Sequence, residues 1–285
     1  MSRLESFLGL LRRWFTSIPF FILLGLVLGY VIAIPAIPRP KIATIVISGT
    51  IFDQVHTDEI LQTLREVNED ASVKAVVLEI DSPGGSASAV EQIYLDTLRL
   101  RQKKPVVTSV GTVAASGGYY IAVATDYIYA HPSSQLGSIG AFVLLPEAEQ
   151  VDEEFGATGP FKEIGRSKRT AFESLEMVRQ GFAGEVVSQR GERLHLAEEE
   201  ISQARVYLGI ESLRYGLIDA IGTKSDALEK AASLAGLRRS GNYEVERHYI
   251  APRFFFLTSP SSSLDELKSR ISTFPMYYYL HLELE

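Results

Sequence analysis

Two glycine-rich stretches and one serine are the residues of this 285-residue sequence best placed to do chemistry. Asp81-Ser82-Pro83-Gly84-Gly85 and Gly111 to Gly118 each follow an apolar run that reads as a strand. In open α/β sheets the functional crevice lies beyond the carboxyl ends of the strands, where these stretches fall. Glycines let a backbone approach a ligand closely and aim amide N–H groups at it. Amides so aimed can hold an oxyanion during acyl transfer. Neither stretch carries the spacing GxGxxG or the phosphate loop GxxxxGK, so a nucleotide cradle is not indicated. Ser116 follows two alanines, precedes two glycines and opens a helical stretch. Partial positive charge at a helix N-terminus favours a developing oxyanion. A serine there also makes a good cap, so capping stands as the alternative role.

A serine nucleophile needs a base. The histidines are His56, His131, His195, His248 and His281. Only His131 lies near the glycine-rich stretches, and ahead of Pro132 it reads as a surface residue at a strand exit. Cysteine is absent, which removes a thiol nucleophile, a disulfide and a cysteine metal cage. There is no HExxH and no clustered ligand set, so no metal and no cofactor are expected. Without a placed histidine, a Ser–Lys dyad is the natural arrangement. A lysine serves as base only where desolvation lowers its pKa. Lys162 sits in Gly159-Pro160-Phe161-Lys162-Glu163-Ile164 among apolar neighbours, whereas Lys168 lies in the basic cluster Arg166–Arg169. Taken alone, Lys162 reads more readily as a solvated surface lysine.

Alternating strands and helices must position these residues. Ile42–Ile47, Ala75–Ile80, Val106–Val110 and Tyr127–Ala130 read as strands. Helices are expected over Thr57–Val67 (opened by a Thr-Asp cap), Ala87–Arg101, Ser116–Thr125, Ala171–Arg193 and Ser225–Ala235. The last is expected to start on a serine cap and end at Gly236, and Gly111–Ala115 reads as a loop. Near-continuous apolar strands between helices indicate an α/β layer architecture with a mainly parallel sheet. The tail from Tyr243 is aromatic-rich, with Phe254-Phe255-Phe256 and Tyr277-Tyr278-Tyr279. Edge strands packed on the domain or on a neighbour are its simplest reading, and a substrate-mimicking role is the bolder one. The net charge of −7 and pI near 5.4 give no support to nucleic-acid binding.

Trp14–Ile37 holds no charged residue and matches the roughly 20 apolar residues needed to span a bilayer. It is too long for a cleaved signal peptide, and Pro35 and Pro38 fit a cleavage site poorly. Arg3, Arg12 and Arg13 before it favour a cytoplasmic N-terminus. The expected organisation is a cytoplasmic segment 1–13, a single-pass membrane anchor 14–37, a proline-stiffened linker 38–41, an extracytoplasmic domain 42–238 and a C-terminal extension 239–285.

In order, Ile80-Asp81-Ser82-Pro83-Gly84-Gly85, Ala114-Ala115-Ser116-Gly117-Gly118-Tyr119-Tyr120 and Leu136-Gly137-Ser138-Ile139-Gly140 resemble the signal peptide peptidase A (protease IV) family. Gly159–Ile164 resembles the family's lysine segment. Arg205-Val206-Tyr207 with Tyr215-Gly216-Leu217-Ile218-Asp219 resembles its closing motif. The resemblance implies a Clp-protease/crotonase-like spiral after the membrane anchor. It implies Ser116 as nucleophile, Lys162 as base, Gly85 and Gly117 as oxyanion hole, and Ser138 as the residue orienting the lysine. It also implies a membrane-anchored serine endopeptidase that acts on hydrophobic, membrane-derived peptides such as signal-peptide remnants, assembled as a homo-oligomeric ring. Lys162 is followed here by Glu163-Ile164-Gly165-Arg166-Ser167, where relatives often carry a Ser-Pro stretch. A stomatin-directed membrane protease, a crotonase-type acyl-CoA enzyme and a catalytically silent membrane scaffold are the alternative readings.

Overall fold

The computed structural model describes residues 18–30, 39–143, 167–201, 203–237, 243–251 and 277–280. The chain divides into two compact units, Met1–Arg39 and Pro40–Glu285. In the first, residues 18–30 form a helix, α1, with exposed side chains throughout. The rest of the apolar stretch Trp14–Ile37 lies outside the described residues. No helix among the described residues is long and apolar enough to cross a membrane.

The second unit is built on one mostly parallel sheet. Its strands β1 (Lys41–Ser48), β2 (Val73–Ser82), β4 (Val106–Ala115), β5 (Tyr127–Ala130), β9 (Ala220–Ile221) and β10 (Glu244–Tyr249) lie in the order β10-β1-β2-β4-β5-β9. Each neighbouring pair in that order is parallel. Two short strands, β6 (Gln135–Gly137) and β8 (Val206–Leu208), extend the sheet from β4. The tail thus contributes an edge strand, β10, beside β1.

Alternation along the strands divides the core into two layers. Ala43, Ile45, Ile47, Val76, Leu78 and Ile80 belong to the larger cluster, shared with α2 (Gln54–Glu69), α3 (Ala87–Arg101), α4 (Gly117–Val123) and α5 (Lys168–Arg190). Their neighbours Ile42, Ala75 and Val77, with Val107, pack against Ala227, Ala231 and Ala232 of α8 (Lys224–Leu234). Both faces of the sheet are therefore covered, which is why these strands read as unbroken apolar runs. On its inward face α2 buries Ile60, Leu61, Leu64 and Val67, each worth about 1.5–3 kcal/mol of transfer free energy.

Several boundaries differ from the sequence expectation, for local reasons. The helix expected from Thr57 begins at Gln54, because Asp53 supplies the cap by accepting from the His56 amide at 2.7 Å. The last helix starts from Thr223 rather than a serine. Asp226 reaches back to accept from the Thr223 amide at 2.7 Å. It does end before Gly236, whose φ of +69° suits a residue without a Cβ. Helix α5 starts a turn earlier than expected, capped by Ser167 accepting from the Thr170 amide at 3.1 Å. Gly111–Ala115 is not a loop, because β4 runs unbroken through Ala115.

Candidate active site

Strand β4 pairs with a different partner in each half. Val107–Val110 lie beside β5, while Val113–Ala115 lie beside β6. On its other side the register with β2 jumps from Ile80 opposite Val110 to Ser82 opposite Ala114. Gly111, Thr112 and Val113 thus face Asp81 alone, a bulge that re-aims the end of the strand. The Asp81 carboxylate fills the irregularity. Its Oδ1 accepts from the Thr112 amide at 3.1 Å and the Val113 amide at 3.0 Å. A Cβ on Gly111 would lie 3.2 Å from the Asp81 Cγ, a tight fit that the carboxylate would have to yield to.

Ser116 is the first residue past this strand, and it is 1% exposed. Its backbone sits at φ 51° and ψ −117°, a conformation that costs a non-glycine residue about 1–3 kcal/mol. Its amide donates to the Gly137 carbonyl at 2.7 Å, which holds the junction in place. The capping role fails on geometry. A capping serine sits in the extended region, and the Ser116 hydroxyl makes no capping bond to α4. Among the described residues only Ser138 (φ 51°) and Ala204 (φ 50°) share a positive φ without being glycine. Two of these three residues were singled out from the sequence.

Ser138 is the next residue after β6, as Ser116 is after β4. Ala115 and Gly137 are register partners, so the two serines leave adjacent parallel strands side by side. The Ser138 amide donates to the Arg205 carbonyl at 2.8 Å. Gly137 has a φ of +102°, and a Cβ on it would meet that same carbonyl at 2.7 Å. The closing motif Arg205-Val206-Tyr207 therefore braces the turn that carries Ser138, through the antiparallel pairing of β8 with β6. Sequence reading recognised this motif but gave it no mechanical role.

Past β2 the chain folds back over the N-terminal end of α4. The Ser82 hydroxyl donates to the Gly49 carbonyl at 2.6 Å and accepts from the Gly84 amide at 3.1 Å. Gly84–Ser86 then form the short strand β3. It is tied to Ile51 by bonds of 2.9 Å from the Ile51 amide to Gly84 and from the Ser86 amide to Ile51. A Cβ on Gly85 would lie 2.0 Å from the Ile51 carbonyl oxygen, and one on Gly118 would lie 2.3 Å from that of Ser82. The glycines of both stretches thus permit close backbone packing around the strand–helix junction. Gly117 and Gly118 are the first residues of α4.

Helix α4 is buried along its whole length and fastened from several directions. The Tyr119 hydroxyl donates to the Leu217 carbonyl at 2.7 Å, and burial pushes its pKa up. Tyr120 stacks on Tyr94 at 4.5 Å and meets Phe182 of α5 at 4.6 Å. The Tyr94 hydroxyl donates to Glu185, again from α5, and burial raises its pKa. Next to this, Arg190 of α5 binds both oxygens of Asp219 at 3.0 Å, with both side chains almost fully buried. Asp219 also accepts from the Ile128 amide at 2.8 Å, so α5, β5 and the second closing motif are locked together. Lys162 lies outside the described residues, as does all of Gly159–Ile164.

The family model for peptidase family S49 matches residues 99–238, and that for Clp protease matches residues 40–136. A putative protease of Synechocystis is 33% identical over 212 residues, covering 70% of this chain and 76% of its own length. Protease 4 of Haemophilus influenzae is 34% identical over 219 residues, covering 70% of this chain but 35% of that longer protein. A putative signal peptide peptidase SppA of Enterococcus faecium is 29% identical over 213 residues, covering 66% of this chain and 62% of its own length. With Ser116 strained at a strand–helix junction inside the matched region, these likenesses place the chain in peptidase family S49.

Proposed function

We propose that the chain is a serine endopeptidase with a Ser116–Lys162 dyad, acting on hydrophobic membrane-derived peptides such as cleaved signal peptides. The observation that carries the reading is the backbone of Ser116. A buried serine held at positive φ, with its amide pinned and its hydroxyl excluded from capping, is poised for a task other than structure. In the proposed reaction Lys162 takes the hydroxyl proton as Oγ attacks the scissile carbonyl. The amides of Gly85 and Gly117 receive the oxyanion, and Lys162 then protonates the leaving amine. Water, deprotonated by the same lysine, hydrolyses the acyl-enzyme and restores Ser116. Ser138, which follows the strand adjacent to that of Ser116, orients the lysine in this reading.

In the same reading the fold is a Clp-protease/crotonase-like spiral, Trp14–Ile37 anchors it in the cell membrane, and the domain lies outside the cytoplasm. The single unit assembles into a ring, in which Lys162 of one copy serves Ser116 of its neighbour. Support comes from the uncharged run of Trp14–Ile37, the match to the Clp protease family, and the family to which the chain belongs.

A fluorophosphonate probe on the purified full chain tests the nucleophile. Mass mapping should place the adduct on Ser116, with Ser82, Ser86 and Ser138 unmodified. An adduct on another serine, or undiminished turnover after Ser116→Ala, overturns the assignment.

Asp81 offers a second, quieter test. Removing its carboxylate leaves two amides of the β4 bulge to water, at a stability cost of about 1 kcal/mol. Because that bulge aims Ser116, Asp81→Ala should lower kcat by about 10–100-fold with KM nearly unchanged. Asp81→Asn, which keeps an acceptor oxygen, should recover much of it. A fall in melting temperature without a fall in kcat would make Asp81 merely structural.

A further inference from the structure

The two proposed oxyanion donors sit on different parts of the fold. Gly117 opens α4 and is joined to the main sheet through Ser116 and β4. Gly85 belongs to β3, which lies in a separate sheet ordered β3-β11-β7, with β11 covering Tyr277–Leu280 and β7 covering Phe142–Val143. An oxyanion is held only where both amides point at one spot, and a displacement of about 1 Å can cost 100-fold in rate. The placement of β3 against the main sheet therefore matters to the chemistry.

Backbone pairing achieves only part of that placement. Strands β1 and β2 run in register as far as Ser48 opposite Asp81, and the Gly49 amide then donates to the Asp81 carbonyl at 3.0 Å. Pairing resumes at a single bridge between Ile51 and Gly85. Three steps lead from Ser48 to Ile51 but four from Asp81 to Gly85, so the β2 side carries one residue too many. Pro83 lies in that excess and has no N–H to donate. One side chain spans the break. The Ser82 hydroxyl donates to the Gly49 carbonyl at 2.6 Å and accepts from the Gly84 amide at 3.1 Å. Ser82 is fully buried, and Gly49 and Gly84 are buried with it, so water does not stand in for the hydroxyl.

Ser82 also meets the other half of the proposed hole. A Cβ on Gly118 would lie 2.3 Å from the Ser82 carbonyl oxygen and 3.4 Å from the Ser82 Cβ, so the first turn of α4 rests on this residue. Ser82 thus abuts the neighbour of each donor, Gly84 beside Gly85 and Gly118 beside Gly117. A serine turn closed onto the amide two residues ahead explains the Gly84 bond alone. The bond to Gly49 ties that turn to the exit of β1.

We propose, on the Ser116 peptidase reading given above, that Ser82 is a positioning residue whose hydroxyl clasps β1 to the Gly84-Gly85 turn and so sets the separation of the Gly85 and Gly117 amides. It touches no reacting atom. Because the oxyanion exists only once Oγ has added to the carbonyl, loosening the clasp weakens the tetrahedral species and leaves the unreacted peptide bound as before.

The test uses the full chain in detergent, unaltered and with Ser82→Ala, Ser82→Cys or Ser116→Ala. Two probes share one uncharged tripeptide, the first its boronic acid and the second its amide. Ser116 Oγ adds to the boron, its proton passes to the base, and a boron-bound hydroxyl of the resulting anion takes the oxyanion position. Ser82→Ala should weaken boronate binding by about 10–100-fold and lower kcat on a fluorogenic form of the tripeptide by a similar factor. Amide affinity and KM should stay within about twofold. Ser82→Cys, which returns a weaker donor and acceptor, should recover part of both losses. A merely structural serine would lower the melting temperature without separating boronate from amide. Boronate affinity and kcat within about twofold of the unaltered chain, or equal losses for boronate and amide, overturn the proposal. If Ser82→Ala does not fold, Ser82→Cys decides by the same comparison, with an expected separation of about 3–10-fold. A boronate that fails to bind the unaltered chain, or binds Ser116→Ala equally well, defeats the peptidase reading and the clasp with it. A boronate bound through Ser116 yet indifferent to Ser82 defeats the clasp alone.

Discussion

Replacing either Ser116 or Lys162 by alanine should lower kcat by about 10⁴–10⁶-fold, the range seen when a nucleophile–base unit loses one member. The two substitutions together should cost little more than either alone, because a nucleophile without its base and a base without its nucleophile are equally idle. Lys168→Ala is the matched control, close in sequence but inside the basic cluster that leads into α5. It should leave kcat within about threefold, well short of the loss expected when a dyad member goes. For a buried lysine acting as base, activity rises with pH as the ammonium gives up its proton. That rise should centre well below the value of about 10.4 for a free lysine. If the dyad is shared between copies, Ser116→Ala and Lys162→Ala chains co-assembled with distinct affinity tags should regain part of the lost turnover. Activity that survives Lys162→Ala but not Lys168→Ala would exchange the assignments. Inactive mixed assemblies of proven composition would place both groups in one chain.

The next largest effect is expected at Gly85. An added methyl there would stand 2.0 Å from the Ile51 carbonyl oxygen, far inside van der Waals contact. Ile51 cannot yield easily, being fully buried and bonded through both its amide and its carbonyl to β3. The strand must move instead, and its amide leaves the proposed oxyanion position. Loss of one such donor typically costs 10²–10³ in rate, so Gly85→Ala should lower kcat by about that factor. Gly181→Ala and Gly184→Ala in α5 meet nothing within 4 Å and provide the contrast. Each should leave kcat unchanged and raise helix stability by up to about 1 kcal/mol. Steady-state kinetics with thermal melts on the three variants decides the matter. A Gly85→Ala enzyme with near-normal kcat would remove Gly85 from the oxyanion hole.

Much of this architecture was legible because a two-sided parallel sheet leaves a plain trace. IATIVI and AVVLEI are apolar on both faces, and both faces turn out to be covered. Where legibility failed, a local competitor had intervened. Thr57-Asp58 looked like a helix start, yet Asp53 one turn earlier is the better-placed acceptor. Gly111 and Thr112 interrupt the apolar run of β4, and the feature that keeps them in the strand is a carboxylate thirty residues upstream. No periodicity reports a bond of that range. The strain at Ser116 was equally invisible, since serine has no intrinsic tendency toward positive φ. Only the pairing of β4 with β6 and the fixed Gly137 carbonyl impose it. Strand β10 agrees with the edge strands expected of the tail from Tyr243, although its composition marked out no bounds. EVERHY looks like solvated chain, and it is an edge strand whose side chains are mostly exposed.

That edge strand has a consequence for how the protein is made. Lys41 lies opposite Glu244 and Val46 opposite Tyr249, so one border of the sheet is closed by residues synthesised some two hundred positions after the strand they cover. At translation rates of 5–20 residues per second, the interval is about 10–40 s. Throughout it β1, with six consecutive buried residues in the finished fold, has one flank of backbone donors and acceptors unclaimed. Such a flank invites pairing with any other nascent chain nearby. Vectorial synthesis therefore works against this topology, and the burden of keeping newly made chains apart falls on the cell until β10 has emerged.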